Sequence, residues 1–91
     1  MFLQRSMVMK RTLNFSGADK LERFVDGLKG KKERVFILSD GSRVNNLDGY
    51  STDQLRQVED TYYSGVQGGK NYIVTYDYVG IGYVINKVEE E

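Results

Sequence analysis

The most apolar and most strand-prone part of the chain is residues 71–88, NYIVTYDYVGIGYVINKV. Val, Ile, Thr and Tyr dominate this stretch, side chains that fit a pleated, half-buried surface. Tyr72, Val74, Tyr76 and Tyr78 share one face at period two, and Ile73, Thr75 and Asp77 share the other. Gly80 and Gly82 interrupt the run. Its length exceeds an ordinary strand, so it predicts a hairpin turning at Val79-Gly80 rather than one long bent strand.

Upstream the period changes several times. Residues 5–15, RSMVMKRTLNF, predict a first strand with Met7, Met9, Leu13 and Phe15 on one face. Ser16, with Asp19 three positions on, reads as a helix N-cap. Ala18, Leu21, Phe24 or Val25, and Leu28 follow at helical spacing, with Gly27 inside the helix and Gly30 ending it. KGKKER, 29–34, reads as a basic connector. RVFILS, 34–39, is apolar and too short for a helix, which predicts a central strand.

Asp40-Gly41 is a two-residue turn signal, and SRVNNL, 42–47, returns as a polar edge strand with Val44 turned inward. Asp48-Gly49 turns the chain again. Ser51 and Gln54 form a second capping box, and Leu55, Val58 and Tyr62 continue at helical spacing. They predict a second helix to about Ser64, closed by Gly65 and followed by a GVQGGK loop at 65–70.

The resulting order, β-α-β-β-α-β-β, predicts an α+β two-layer sandwich. A mainly antiparallel sheet would carry two helices on one face, in a ferredoxin-like arrangement with an added C-terminal strand. Residues 1–91 make a single domain, with 1–6 and the acidic tail 89–91 loose. A chain of this length buries roughly 60–65% of its unfolded surface.

Composition removes much chemistry. The chain has no histidine and no cysteine. The commonest general base, the commonest neutral metal ligand and all thiol chemistry are therefore missing. Nothing calls for a metal or a cofactor, and the expectation is a protein that is not an enzyme. Among carboxylates, Asp40 and Asp48 sit beside glycines in turns, where Asp is a structural choice. On the predicted second helix Glu59 and Asp60 would point about 100° apart and could not converge on one atom.

SGVQGGKN, 64–71, lacks the spacing and the hydroxyl of a phosphate-binding loop and runs from helix to strand. VGIGYVIN, 79–86, alternates glycine with aromatic and apolar residues as some RNA-binding strands do. Val79, Ile81 and Asn86 depart from that pattern, two of them where stacking or cationic side chains belong. No apolar run reaches the ~20 residues of a membrane span, and the N-terminal stretch lacks the apolar centre of a signal peptide. A cytoplasmic protein without membrane contact is expected.

Charge sums to zero but is unevenly spread: residues 1–45 carry ten Lys/Arg and five Asp/Glu, residues 46–91 three and eight. Two groups stand out as candidate contacts. Tyr72, Tyr76, Tyr78 and Tyr83 could form an aromatic patch of the kind enriched at interfaces. Lys29, Lys31, Lys32 and Arg34 could hold phosphates. The first expectation is a small binding protein, a regulator or inhibitor of bacterial or phage type. It would touch another protein through its sheet face and C-terminal hairpin, and could itself form a homodimer or higher oligomer. The alternative is a nucleic-acid or small-nucleotide binder in which the basic cluster holds phosphate and the late tyrosines stack on bases.

Overall fold

The computed structural model describes residues 10–91, apart from the side chains of Ser64 and Val66. Among the described residues the elements are β1 (Arg11–Thr12), α1 (Ala18–Asp26), β2 (Lys31–Leu38), β3 (Arg43–Val44), β4 (Leu55–Gln67), β5 (Lys70–Tyr78) and β6 (Tyr83–Glu90), with a 3-10 turn at Thr52–Gln54. The strands form one six-stranded sheet in the order β1-β6-β5-β4-β2-β3. Every neighbouring pair is antiparallel. β1 and β2 are therefore parallel and lie at opposite sides of the sheet, joined through α1.

This overturns the ferredoxin-like expectation. The described residues contain one α-helix, not two, and the predicted second helix is the long strand β4. The capping box expected at its start does form: the Ser51 N–H donates to Gln54 Oε1 at 2.9 Å. The box closes only one 3-10 turn, and Leu55 leaves it in extended geometry. Leu55, Val58 and Tyr62 looked helical because they are three and four apart. In β4 the same spacing arises from a bulge. Ile37 pairs with Gln57 and Leu38 with Leu55, so Arg56 is an extra residue that resets the alternation. Leu55 and Val58 then share a face. The β-branched and aromatic run from Val58 to Tyr63 suits the strand.

Other boundaries also move. β2 begins at Lys31, so much of the expected basic connector is strand, and β2 is the penultimate strand rather than a central one. Of the predicted first strand only Arg11–Thr12 is strand, and Met7 and Met9, like the stretch 1–6, lie outside the described residues. Ser16 does not cap α1. Gly17 occupies that position, and its carbonyl accepts the N–H groups of Lys20 and Leu21 at 3.2 Å. Gly27 is the C-cap rather than an interior residue. Glu89 and Glu90 are not a loose tail: they pair with β5, and Glu90 is buried.

The hairpins expected at Asp40-Gly41 and Val79-Gly80 do form. Gly41 Nα donates to the Leu38 carbonyl at 2.9 Å, Asp40 Oδ1 accepts the Ser42 N–H at 2.8 Å, and β3 returns as a short edge strand. Val79 N–H donates to the Gly82 carbonyl at 3.0 Å, closing β5 onto β6.

The core lies between α1 and the sheet. Val25 and Leu28 pack on Tyr62, Tyr72, Val74 and Val88, with Leu13, Phe15, Leu21, Phe24, Tyr76 and Ile85 around them. Phe24 meets Tyr72 edge-on at 5.2 Å between ring centroids, and Phe15 at 5.4 Å. The helical stripe read from Ala18 to Leu28 is the face that packs. β6 keeps Ile85 and Val88 on this side through a second bulge, because Thr75 pairs with Lys87 and Tyr76 with Ile85, leaving Asn86 extra.

One backbone contact is unusually tight. The β4–β5 hairpin turns at Gly68-Gly69, and four residues of β4 after Tyr62 oppose a single residue of β5. Gly65 sits in this bulge at φ 71°, and a Cβ there would lie 2.6 Å from the Gly69 Cα. Gly68 has φ 67° but open space around it. Gly65→Ala is therefore expected to lower stability by about 2 kcal/mol or more, from left-handed strain plus a backbone clash. Gly68→Ala should cost only about 1 kcal/mol, from the strain alone. Urea unfolding of the two variants checks the difference.

Candidate functional site

Strand alternation places Lys32, Arg34 and Phe36 of β2, Val58, Asp60 and Tyr62 of β4, and Tyr72, Val74, Tyr76 and Tyr78 of β5 on the α1 side. At the centre of this side lies Asp60, with no exposed surface. Arg34, directly opposite on β2, grips it with both arms of the guanidinium: Nε to Oδ1 at 2.7 Å and Nη2 to Oδ2 at 3.0 Å. Lys32 Nζ lies 3.7 Å from Oδ2 and 5.9 Å from the centre of the Tyr62 ring. The pairing with Asp60 raises the Arg34 pKa against the opposing effect of burial. A sequence reading that put Asp60 on a helix beside Glu59 missed this. On a strand the two point to opposite faces, and Glu59 reaches Arg43 at 2.6 Å on the open side.

The basic cluster is thus split. Lys29 is exposed in the connection to β2. Lys31 faces the open side of the sheet, opposite Tyr63. Lys32 and Arg34 face the α1 side, where the Asp60 carboxylate already neutralises one of their charges. The four do not converge on one phosphate site.

The tyrosines also separate. Tyr72 is a core residue. Tyr76 is half-buried, and its phenol is pushed up to about 12, chiefly by burial and then by the Asp60 charge. Tyr78 and Tyr83 are cross-strand partners, their rings 5.4 Å apart, and Tyr83 is exposed. Three of the four therefore gather at the turn end of the β5–β6 hairpin.

α1 covers only part of the sheet, and a groove of about 580 Å³ opens between it and this hairpin. Ala18, Leu21 and Val25 of the helix form one wall, with Glu22 and Asp26 at the rim; Tyr76, Tyr83 and Ile85 form the other. A neighbouring cleft of about 390 Å³ shares Ala18 and Leu21 and extends along β6 to Asn86, Lys87 and Val88. Beyond the groove the turn is apolar. Val79 and Val84 are exposed, and Ile81 is 98% exposed. A signal for this was present in the sequence: turn residues are ordinarily polar, and VGIG is not.

Among the described residues no group of three or more His, Cys, Asp or Glu is placed to hold a metal ion, and no helix is long and apolar enough to cross a membrane. The chain matches no protein-family model, no curated protein and no solved structure.

Two outcomes follow from the Asp60 cluster. Arg34→Met leaves a buried carboxylate with Lys32 as its remaining cation and the Tyr76 hydroxyl beside it, and should cost about 3–5 kcal/mol, the usual penalty for halving a buried pair. Asp60→Leu alone should cost less, because the half-exposed Arg34 can turn to water. The double variant should recover most of the loss, giving a large coupling energy in a double-mutant cycle measured by urea unfolding. The second outcome concerns pH. Folding raises the Tyr76 pKa, so the folded state holds its proton more tightly than the unfolded state does. Stability from this group is complete below about pH 10 and falls as pH rises toward 12. Tyr76→Phe should make the alkaline decline in unfolding midpoint shallower.

Proposed function

We propose that this chain is a small binding protein of regulator or inhibitor type, working by contact with another protein rather than by catalysis. The contact surface is the turn end of the β5–β6 hairpin together with the groove beside α1. The observation that carries the reading is the apolar tip, where Val79, Ile81, Tyr83 and Val84 stand out together. A single exposed apolar residue is ordinary, but a contiguous group on a protruding turn favours aggregation unless something covers it. Tyr78 and Tyr83 add paired aromatic area beside it, the type of side chain that carries binding energy at protein interfaces.

The nucleotide alternative has weaker support. The charged groups at the rim of the aromatic groove are Glu22 and Asp26, which repel phosphate. Lys32 and Arg34, the cations of the basic cluster on this side of the sheet, are turned to Asp60.

A photo-crosslinking residue at position 81, in the intact chain expressed in its own cells, should give a discrete protein adduct. The same residue at position 45, on the far side of the sheet, should give none. With the captured protein purified, Ile81→Asp should weaken binding tenfold or more, about 1.4 kcal/mol, while leaving the circular dichroism spectrum and unfolding midpoint unchanged. Adducts with nucleic acid alone would overturn the reading.

A further inference from the structure

The position of β6 in the sheet suggests how a partner would be held. β5 bonds one edge of β6 along its length. On the other edge β1 reaches only Glu89 and Glu90, and Leu13 N–H adds one bond to the Val88 carbonyl at 2.9 Å. There the chain leaves the sheet for α1. Among the described residues no strand lies beside the stretch from Tyr83 to Lys87.

The hairpin sets which backbone groups this edge presents. Val79 and Gly82 are hydrogen-bonded across the turn, and opposed pairs alternate from there. Tyr78–Tyr83 and Tyr76–Ile85 are then pairs that do not bond to each other, so the N–H and C=O groups of Tyr83 and Ile85 point away from β5. The Val88 carbonyl points the same way, and there it receives Leu13. Tyr83 and Ile85 thus continue the row of bonds that β1 begins, with no strand of the described residues opposite them.

The groove under α1 runs along this same edge. Its side next to Tyr83 and Ile85 offers Leu21 and Val25 as apolar contacts, and the charged residues lining it are both acids, Glu22 and Asp26. An added strand has every second side chain pointing at α1. Apolar side chains at such positions meet Leu21, Val25 and Ile85, and a Lys or Arg among them meets Glu22 and Asp26.

We infer that the partner adds an extended segment of about five residues as a new strand on the open edge of β6, in line with β1, with apolar and Lys/Arg side chains alternating toward α1. The inference rests on the reading of the hairpin as a protein-contact surface and specifies its mode. Backbone bonds to Tyr83 and Ile85 supply attachment, and the acidic helix rim selects a basic, apolar sequence. The occupant is a segment of a different protein, since nothing in β6 supplies the basic side chains that a second copy would need opposite Glu22 and Asp26, apart from Lys87, which is paired with Glu89.

The test uses the full chain, isotope-labelled, and a synthetic peptide that alternates threonine with isoleucine, lysine and isoleucine. The expected result is saturable binding with the Tyr83 and Ile85 amides protected from hydrogen exchange at least tenfold. A peptide with glutamate replacing lysine should bind at least fivefold more weakly, and Glu22→Lys/Asp26→Lys should reverse that preference. Both substitutions are at exposed helix positions, so the fold is retained. Binding with shifts confined to residues 79–82 and no protection at Tyr83 or Ile85 would overturn strand addition while leaving the hairpin-contact reading standing. No peptide binding, together with a crosslink at position 81 that persists, would do the same. Protection of the two amides in a peptide-free dimer seen by sedimentation would overturn the choice of occupant in favour of a second copy.

Discussion

The fold depends on a carboxylate that has been taken out of water. Asp60 lies in the middle of β4, between β2 and β5, and its charge is tolerated only because Arg34 meets it with two hydrogen bonds. The arrangement fixes register. A one-residue slip of β4 would carry Asp60 to the open face and bring Glu59 or Thr61 inside, away from Arg34. The strand on which the sheet is centred is thus specified by an ion pair as well as by apolar packing. The pair also turns Lys32 and Arg34 toward Asp60, so that part of their charge is already met although both side chains remain about half exposed.

A single helix cannot cover six strands. α1 seals the sheet over Tyr62, Tyr72, Val74 and Val88 and stops short of the β5–β6 turn. The far face of the sheet is made tolerable to water by polar pairs across strands: Arg43 with Glu59, Tyr63 with Glu33, Asn86 with Asp77. The exposed end of the hairpin has no such provision, and Ile81 and its neighbours stay apolar in solvent. The same shortness of α1 leaves the groove open, so the proposed contact surface follows from how little of the sheet α1 covers.

The edges of the sheet are managed differently. β2 exposes Lys31, Lys32 and Glu33 where β3 does not reach, the charged composition that discourages stray pairing. β6 ends in a cluster where Glu90 meets Arg11 and Lys70, which hold its carboxyl below the usual carboxylate range. That cluster ties β1, β5 and β6 together and leaves open only the stretch beside the groove.

Local chemistry made several features legible without coordinates. The hairpin at Asp40-Gly41 follows from turn preferences, the one at Val79-Gly80 from a glycine-broken run too long for one strand, the Ala18–Leu28 stripe from helical spacing, and the common face of Tyr72, Tyr76 and Tyr78 from strand alternation. Each depends only on neighbours along the chain. Leu55–Gln67 could not be read that way, because a helix and a bulged strand give Leu55, Val58 and Tyr62 the same spacing, and Arg56 and Asn86 reset the alternation only when a partner strand is present. Nor could the place of Asp60, since a carboxylate is interior only where a cation distant in sequence meets it. Those outcomes were decided in three dimensions, where the pairing energy between remote segments outweighs the preference of each segment alone.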